Sequence, residues 1–330
     1  MIISAYVAEN TFVGLREGDK ERLTHINFAF ALVKDGKGSV DHWKNADAVR
    51  EFTKNKGHLK IILSVGGWGA GGFSPAVATA EGRELLAQSL NDIVDDYGFD
   101  GIDMDWEYPC DDVAGIEASP DDKVNYTLFM EVMREKMGPN KVLSMAAGGM
   151  QSCVESLEIE KLMKVMDFIN LMTYDMCPWD KVGYHTSLYA SDNCEVNHGD
   201  SVAKMYEAAG VKRAQLTLGA AFYARIYRDV DGLNHKVDGP PGFVGDGYAG
   251  TCARIEESGL QYDEKAEAPF VYDAKAREFI TFDNPRSLKA KMEYVKNTGL
   301  GGIMFWEYYC DDQNSTLLKA MTEEDKWLKL

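Results

Sequence analysis

No apolar run in the 330-residue sequence approaches the ~18 to 20 residues needed to cross a membrane, and no basic segment with an apolar core precedes Met1-Ile2-Ile3-Ser4. No membrane partner is expected. The absence of a leader leaves the compartment open, because such a segment is removed on maturation. The sequence also has no C-x-x-C and no H-x-x-x-H, and its six histidines are scattered, so no metal and no cofactor is expected. Positive charge is scarce as well: 35 Lys and Arg face 53 Asp and Glu, for a net charge of -18. That field repels nucleic acid and anionic lipid but is indifferent to a neutral polymer. Internal repeats, low-complexity tracts and interdomain linkers are missing too.

What is present is a globular composition, 45% hydrophobic and 11% aromatic, enough for a sizeable core. Short runs rich in Val, Ile and Phe recur at Ile2 to Val7, His25 to Val33, Leu59 to Val65, Phe99 to Glu107, Val142 to Gly148, Phe168 to Tyr174, Gln215 to Ala221 and Gly302 to Trp306. Amphipathic stretches with three- and four-residue spacing lie between them, clearest at Gly82 to Tyr97 and Asp121 to Met137. Repeated βα units of this kind predict an α/β fold, a (β/α)8 TIM barrel, as one catalytic unit over residues 1–330. About 45 residues from Ile226 to Phe270 break the rhythm with Gly-Pro-Pro-Gly and scattered Gly, and predict a short insertion after strand seven, at 226–278. A last helix, from about Gln313 to Leu330, is expected to close the ring.

The most informative segment is Phe99-Asp100-Gly101-Ile102-Asp103-Met104-Asp105-Trp106-Glu107-Tyr108-Pro109. Alternation along a strand puts Asp103, Asp105 and Glu107 on one face and Ile102, Met104 and Trp106 on the other. Three acids on one inward face cannot all ionise, so mutual repulsion and desolvation raise the pKa of at least one. The outermost, Glu107, then stands at the C-terminal end of its strand as a general acid, where (β/α)8 enzymes keep their catalytic groups. The bland alternative is a buried strand whose acids are paired by Lys or Arg, an expensive way to build a core.

This segment resembles the D-G-x-D-x-D-W-E-Y-P signature of family 18 glycoside hydrolases, the chitinase family. Ser64-Val65-Gly66-Gly67-Trp68 is similar to that family's S-x-G-G segment, Met172-Thr173-Tyr174-Asp175 to its M-x-Y-D segment, Gly219 to Arg225 to G-x-P-F-Y-G-R, and Gly301 to Trp306 to its final strand. The resemblance implies hydrolysis of β-1,4-linked N-acetylglucosamine polymers with retention of configuration, through attack by the substrate's own acetamido oxygen. It implies Glu107 as acid and then base, Asp105 orienting the acetamide, Asp103 holding or sharing a proton behind it, and Tyr174 completing the clamp. Trp306 is expected as the floor beneath the cleaved sugar, since aromatic faces suit the apolar C–H faces of sugars. Gly67, Trp68, Met172, Asp175 and Trp179 are further substrate-binding candidates, with Tyr6, Phe30, Tyr223 and Arg225 as outer subsites; Trp106 alternates away from the acids, as a core residue would.

Two departures from the pattern stand out: Ala221 and Ala224 replace the usual Pro and Gly, and the insertion is short, which implies an open cleft and internal cleavage. Rival readings are a sugar-binding lectin on the same barrel, an enzyme acting on N-glycans or peptidoglycan, and an acidic barrel holding Mg²⁺ on Asp103, Asp105 and Glu107. The sequence is silent on oligomeric state. All six cysteines, Cys110, Cys153, Cys177, Cys194, Cys252 and Cys310, follow strand ends on the catalytic face. Such clustering suggests disulfides that pin loops, and hence a secreted, extracellular protein, with a cytoplasmic one as the alternative.

Overall fold

In the computed structural model, which describes residues 1–323, eight parallel strands close on themselves. They are β1 (Ile2–Ala8), β2 (His25–Lys34), β3 (Lys60–Gly66), β4 (Gly101–Asp105), β5 (Val142–Gly148), β6 (Phe168–Met172), β7 (Leu216–Ala221) and β8 (Gly302–Trp306). Each pairs with its neighbours in sequence, and β1 pairs with both β2 and β8, so the sheet has no free edge among these strands. The architecture is the expected (β/α)8 barrel.

Outward side chains of the strands, such as Ile102 and Met104 of β4, join one continuous apolar cluster with the surrounding helices. Helix Ala80–Tyr97 shows why these segments fold as they do. Thr79 caps it by accepting from the Gly82 N–H at 3.0 Å, and Leu86, Ala87, Leu90, Val94 and Tyr97 bury one stripe. Gly98 ends it at φ 71°, a conformation that costs glycine little. Helix Pro285–Thr298 opens with a reciprocal Asn284–Ser287 capping box and a proline at its start.

Between β7 and that helix the chain builds a second sheet of five antiparallel strands, Arg225–Arg228, Gly242–Phe243, Gln261–Asp263, Ala268–Asp273 and Glu278–Thr281, with helix Gly247–Ser258 among them. Its side chains form apolar clusters separate from the barrel's, one of which takes in Cys177, Val182, Tyr184 and Cys194 from the loop after β6.

Three expectations need correction. The strands expected to reach Glu107 and Tyr174 stop two residues sooner, at Asp105 and Met172, where ladder pairing ends and the chain turns outward at the barrel mouth. The expected last helix is described at Thr316–Thr322, beginning three residues later than expected; residues 324–330 lie outside the described residues. All six cysteines are free thiols. Burial pushes the Cys153 thiol up to about 11 and Cys177 up to about 12, so both stay protonated and unreactive. The loop after β4 is instead held by the fully buried Asp122, which accepts from Ser74 Oγ at 2.7 Å, Ser119 N at 2.7 Å and Cys110 N at 3.2 Å. The disulfide argument for an oxidising compartment therefore falls. Reductant is expected to leave the Tm unchanged in thermal melts, and denatured protein should titrate as six thiols without prior reduction.

Candidate active site

The barrel interior is unusually polar. Ser4, Asn27, Ser64, Asp103, Ser144, Asn170 and Thr217 are almost wholly shielded from solvent, and such groups are stable only when hydrogen-bonded. Asp103 is where the bonds converge. Register sets Ser64 of β3 and Ser144 of β5 beside it. Its Oδ2 accepts from Tyr6 Oη at 2.7 Å and Ser64 Oγ at 3.0 Å; its Oδ1 accepts from Ser144 Oγ at 2.7 Å and Asn170 Nδ2 at 3.0 Å. Asn170 in turn accepts from Thr217 Oγ1 at 2.7 Å. Burial raises the Asp103 pKa, and these four donors oppose it. They occupy the acceptor sites of a carboxylate, so the network fits the ionised form.

Two residues outward, Asp105 is also buried, yet its Oδ1 has no partner. Burial first, then the charges of Glu107 and Asp103, hold its pKa well above the usual carboxylate range, which favours its protonated form. Glu107 stands at the mouth. Burial pushes its pKa up to about 7, a hydrogen bond from Tyr108 opposes this, and the charge of Asp175 adds to it. The three acids thus rise from a saturated carboxylate at the bottom to an acid poised near neutrality at the top.

The floor beside this ladder is apolar. Tyr6, Ala146, Met172 and Met304 pack together, with Tyr108, Tyr174 and Trp306 against them. Trp306 lies over Phe30, ring centroids 5.4 Å apart and planes within 14°, and 5.8 Å from the Tyr6 ring. Gly66 and Gly67 let the end of β3 approach closely. Gly67 takes φ +92°, and a Cβ there would meet the Phe30 ring at 2.6 Å; one on Gly66 would meet the Asp105 carbonyl oxygen at 2.2 Å.

The wall comes from β6, β7 and the second sheet. Tyr174 Oη lies 3.9 Å from Met304 Sδ, and the Tyr174 ring is 6.0 Å from that of Tyr223. Arg225 grips Asp175 with two bonds, at 2.6 and 2.5 Å. Although burial raises the Asp175 pKa, His185 and Arg225 together hold it well below the usual carboxylate range. The Arg225 guanidinium covers the Phe243 ring at 3.7 Å, and Phe243 itself is 61% exposed.

The expected residues thus separate into groups. Asp103, Asp105, Glu107, Tyr174, Met172, Tyr6, Phe30, Gly67 and Trp306 surround one cleft floor, and Asp175, Tyr223 and Arg225 form its wall. Trp68 and Trp179 are 58% and 52% exposed after β3 and β6; Trp68 reaches only the edge of Tyr108, at 6.4 Å, and Trp179 meets none of these rings. Trp106 points outward into the core, stacked on Phe73 at 5.2 Å. Sequence reasoning missed Ser64 and Ser144, the Glu107 partner Tyr108, the buried His185 and the exposed Phe243. For the two serines a signal existed, since each occupies an inward register position beside Asp103.

A closed parallel barrel with a graded ladder of acids at the C-terminal end of one strand, beside an aromatic floor, is the arrangement of a (β/α)8 enzyme. The glycosyl hydrolases family 18 model matches residues 2–311, and the chain belongs to that family. It is 33% identical over 307 residues to chitinase A1 of Niallia circulans, an alignment covering 83% of this chain and 43% of that protein. It is 28% identical over 378 residues to chitinase B of Serratia marcescens, covering 91% and 76%. Among solved structures, a family 18 N-acetylglucosaminidase from Paenibacillus barengoltzii superposes with TM-score 0.92 at 37% identity, covering 97% of this chain and 98% of that one. The chain spans 43%, 62% and 66% of the length of three of its curated chitinase relatives.

Two substitutions test this description of the site. Gly67→Ala places a side chain in left-handed backbone against Phe30 and is expected to cost about 1–3 kcal/mol in urea unfolding. For Asp105→Asn the sign follows from its raised pKa. The native state resists ionising Asp105, a penalty absent below the unfolded pKa of about 3.9 and growing as pH rises above it. The Asn variant should therefore gain Tm relative to wild type at pH 7 and lose that gain at pH 3.5, as read by calorimetry.

Proposed function

We propose that the chain is a chitinase, hydrolysing β-1,4 linkages between N-acetylglucosamine units with retention. The observation that carries this reading is the orphaned Oδ1 of buried Asp105. A buried acceptor without a partner costs free energy, and an acetamide N–H placed above Asp105 would satisfy it. Bound there, the acetamide would have its oxygen directed at the anomeric carbon, with the Tyr174 hydroxyl as a donor to that oxygen.

Glu107, protonated at rest, would give its proton to the leaving glycosidic oxygen while the acetamido oxygen attacks from the other side, forming an oxazolinium ring. The glutamate, now a carboxylate, would take a proton from the water that opens that ring. Asp105, with its free oxygen accepting from the acetamide N–H, would hold the amide in place and stabilise the positive charge that develops on it in a shielded site. Trp306 and the Tyr6–Met172 surface supply the flat apolar bed for the sugar, and no cofactor enters the scheme.

One comparison favours a second reading: similarity to an N-acetylglucosaminidase at 37% identity raises release of single sugars in place of chitobiose. Internal cleavage rests on the shortness of the insertion, which would leave the cleft open at its ends. A polymeric chitin substrate would place the reaction outside the cell.

Chitotetraose decides between these. Wild type is expected to release mainly chitobiose, initially as the β-anomer by NMR, while folded Glu107→Gln loses at least ~10³-fold in kcat. Monosaccharide as the first product would favour the second reading, and equal cleavage by both proteins would refute the role of Glu107. Because the acid must be protonated, kcat/KM should hold below about pH 7 and fall above it, following the Glu107 pKa.

A further inference from the structure

Behind the wall, 105 residues apart in sequence from the loop it serves, lies a buried cation that the scheme above does not use. Lys291, on the inner face of helix Pro285–Thr298, is 1% exposed, and its Nζ donates to Asp283 Oδ2 and to Thr186 Oγ1, each at 2.6 Å. Asp283 is equally buried and also accepts from Ala221 N at 3.0 Å, Thr186 Oγ1 at 3.1 Å and Ser287 Oγ at 2.7 Å. The Thr186 hydroxyl, whose acceptor side Lys291 fills, has one proton to share between Asp283 Oδ2 and the Thr173 carbonyl oxygen, each at 3.1 Å.

Each point tied down lies beside a site residue. Thr173 precedes Tyr174 and Asp175 at the end of β6; Ala221 stands two residues before Tyr223 at the end of β7. Thr186 follows His185, whose ring lies 5.2 Å from Tyr223 and whose Nδ1 lies 3.5 Å from Asp175 Oδ1. Asp283 itself closes the second sheet, two residues after Thr281. One charged node therefore joins two strand ends, a loop and the root of the insertion.

Buried ion pairs add little net stability compared with apolar residues of the same size, whereas they fix geometry strictly because an unpaired charge is so costly. We propose that Lys291, through Asp283 and Thr186, is a positioning residue for the reaction, holding Tyr174 and its wall at the height the acetamide requires. This rests on the proposed substrate-assisted reaction. The node bonds neither Glu107 nor Trp306 directly, and although Ala221 is the ladder partner of Trp306, its other ties run to the segments that carry Tyr174 and the wall, so its loss should impair the chemical step more than the capture of substrate.

Two variants test it. Thr186→Val removes the hydroxyl bridge to Thr173 and leaves the ion pair in place; Lys291→Met with Asp283→Asn removes both charges together, so neither is stranded. Chitotetraose kinetics give kcat and KM, and calorimetric binding of a thiazoline that mimics the oxazolinium ring gives its Kd. Both variants are expected to melt cooperatively, to lose about 10- to 100-fold in kcat with KM changed less than about 3-fold, and to bind the thiazoline weaker by a factor similar to the loss in kcat. Wild-type kcat in a folded Thr186→Val protein would overturn the proposal, as would a rise in KM with kcat intact. Failure of both variants to fold would also overturn it, making the node an element of folding alone. If wild type itself cleaves no N-acetylglucosamine oligomer, the functional reading fails and this proposal with it; an active wild type matched by its variants sinks only the positioning role.

Discussion

A single carboxylate organises the middle of this barrel. Asp103 accepts from side chains on β1, β3, β5 and β6, and through Asn170 the network reaches β7. A barrel interior is normally filled by branched apolar residues in layers. Here polar residues fill the layer, and Tyr6, Ser64, Ser144, Asn170 and Thr217 find their partners around one charge, whereas Ser4 Oγ and Asn27 Nδ2 have none. Removing that charge would strand several donors at once, at a cost of about 1–3 kcal/mol for each buried group left unsatisfied.

The same saturation determines what the neighbouring acids do. Asp103 has no capacity left for another donor, so Asp105 above it is left with an unpartnered oxygen and with a negative neighbour that discourages its ionisation. Glu107 comes next, partly shielded and in contact with the cleft. Three carboxyl groups of nearly identical intrinsic acidity are thus separated by surroundings alone, which is how one strand can supply both a proton donor and an electrostatic partner.

The ladder was legible in the sequence because period-two alternation is strict and acids in an apolar strand have no ordinary structural use. The eight strands were equally legible from their Val, Ile and Phe runs, with the largest errors at β4, expected two residues too long at each end, and at the end of β6, expected to reach Tyr174. Ser64 and Ser144 were not singled out, since serine is common and its importance appears only once register sets it beside Asp103. Lys291 reads as one more lysine on an amphipathic helix; its burial depends on Thr186 and Asp283, which nothing local announces. The cysteines misled for a related reason: their clustering after strand ends is a fact of the chain, but closeness in space and redox state are not, and hydrogen bonds from residues such as Asp122 hold the loop instead. The second sheet was read only as an irregular insertion because its strands, two to six residues long, are too short to show a period.

That sheet has apolar clusters of its own, shared with the loop after β6 and separate from the barrel's continuous core. Cooperative units in proteins tend to follow such divisions. The cap formed by residues 177–194 and 225–281 still reaches the barrel core through Leu188 and Tyr248, and the Asp175–Arg225 grip and the Asp283 node tie it to the strand ends. Half of the cleft is thus built on the barrel and half on a sheet with apolar clusters of its own, so a cavity made in those clusters would be felt at the wall before it was felt at the acids.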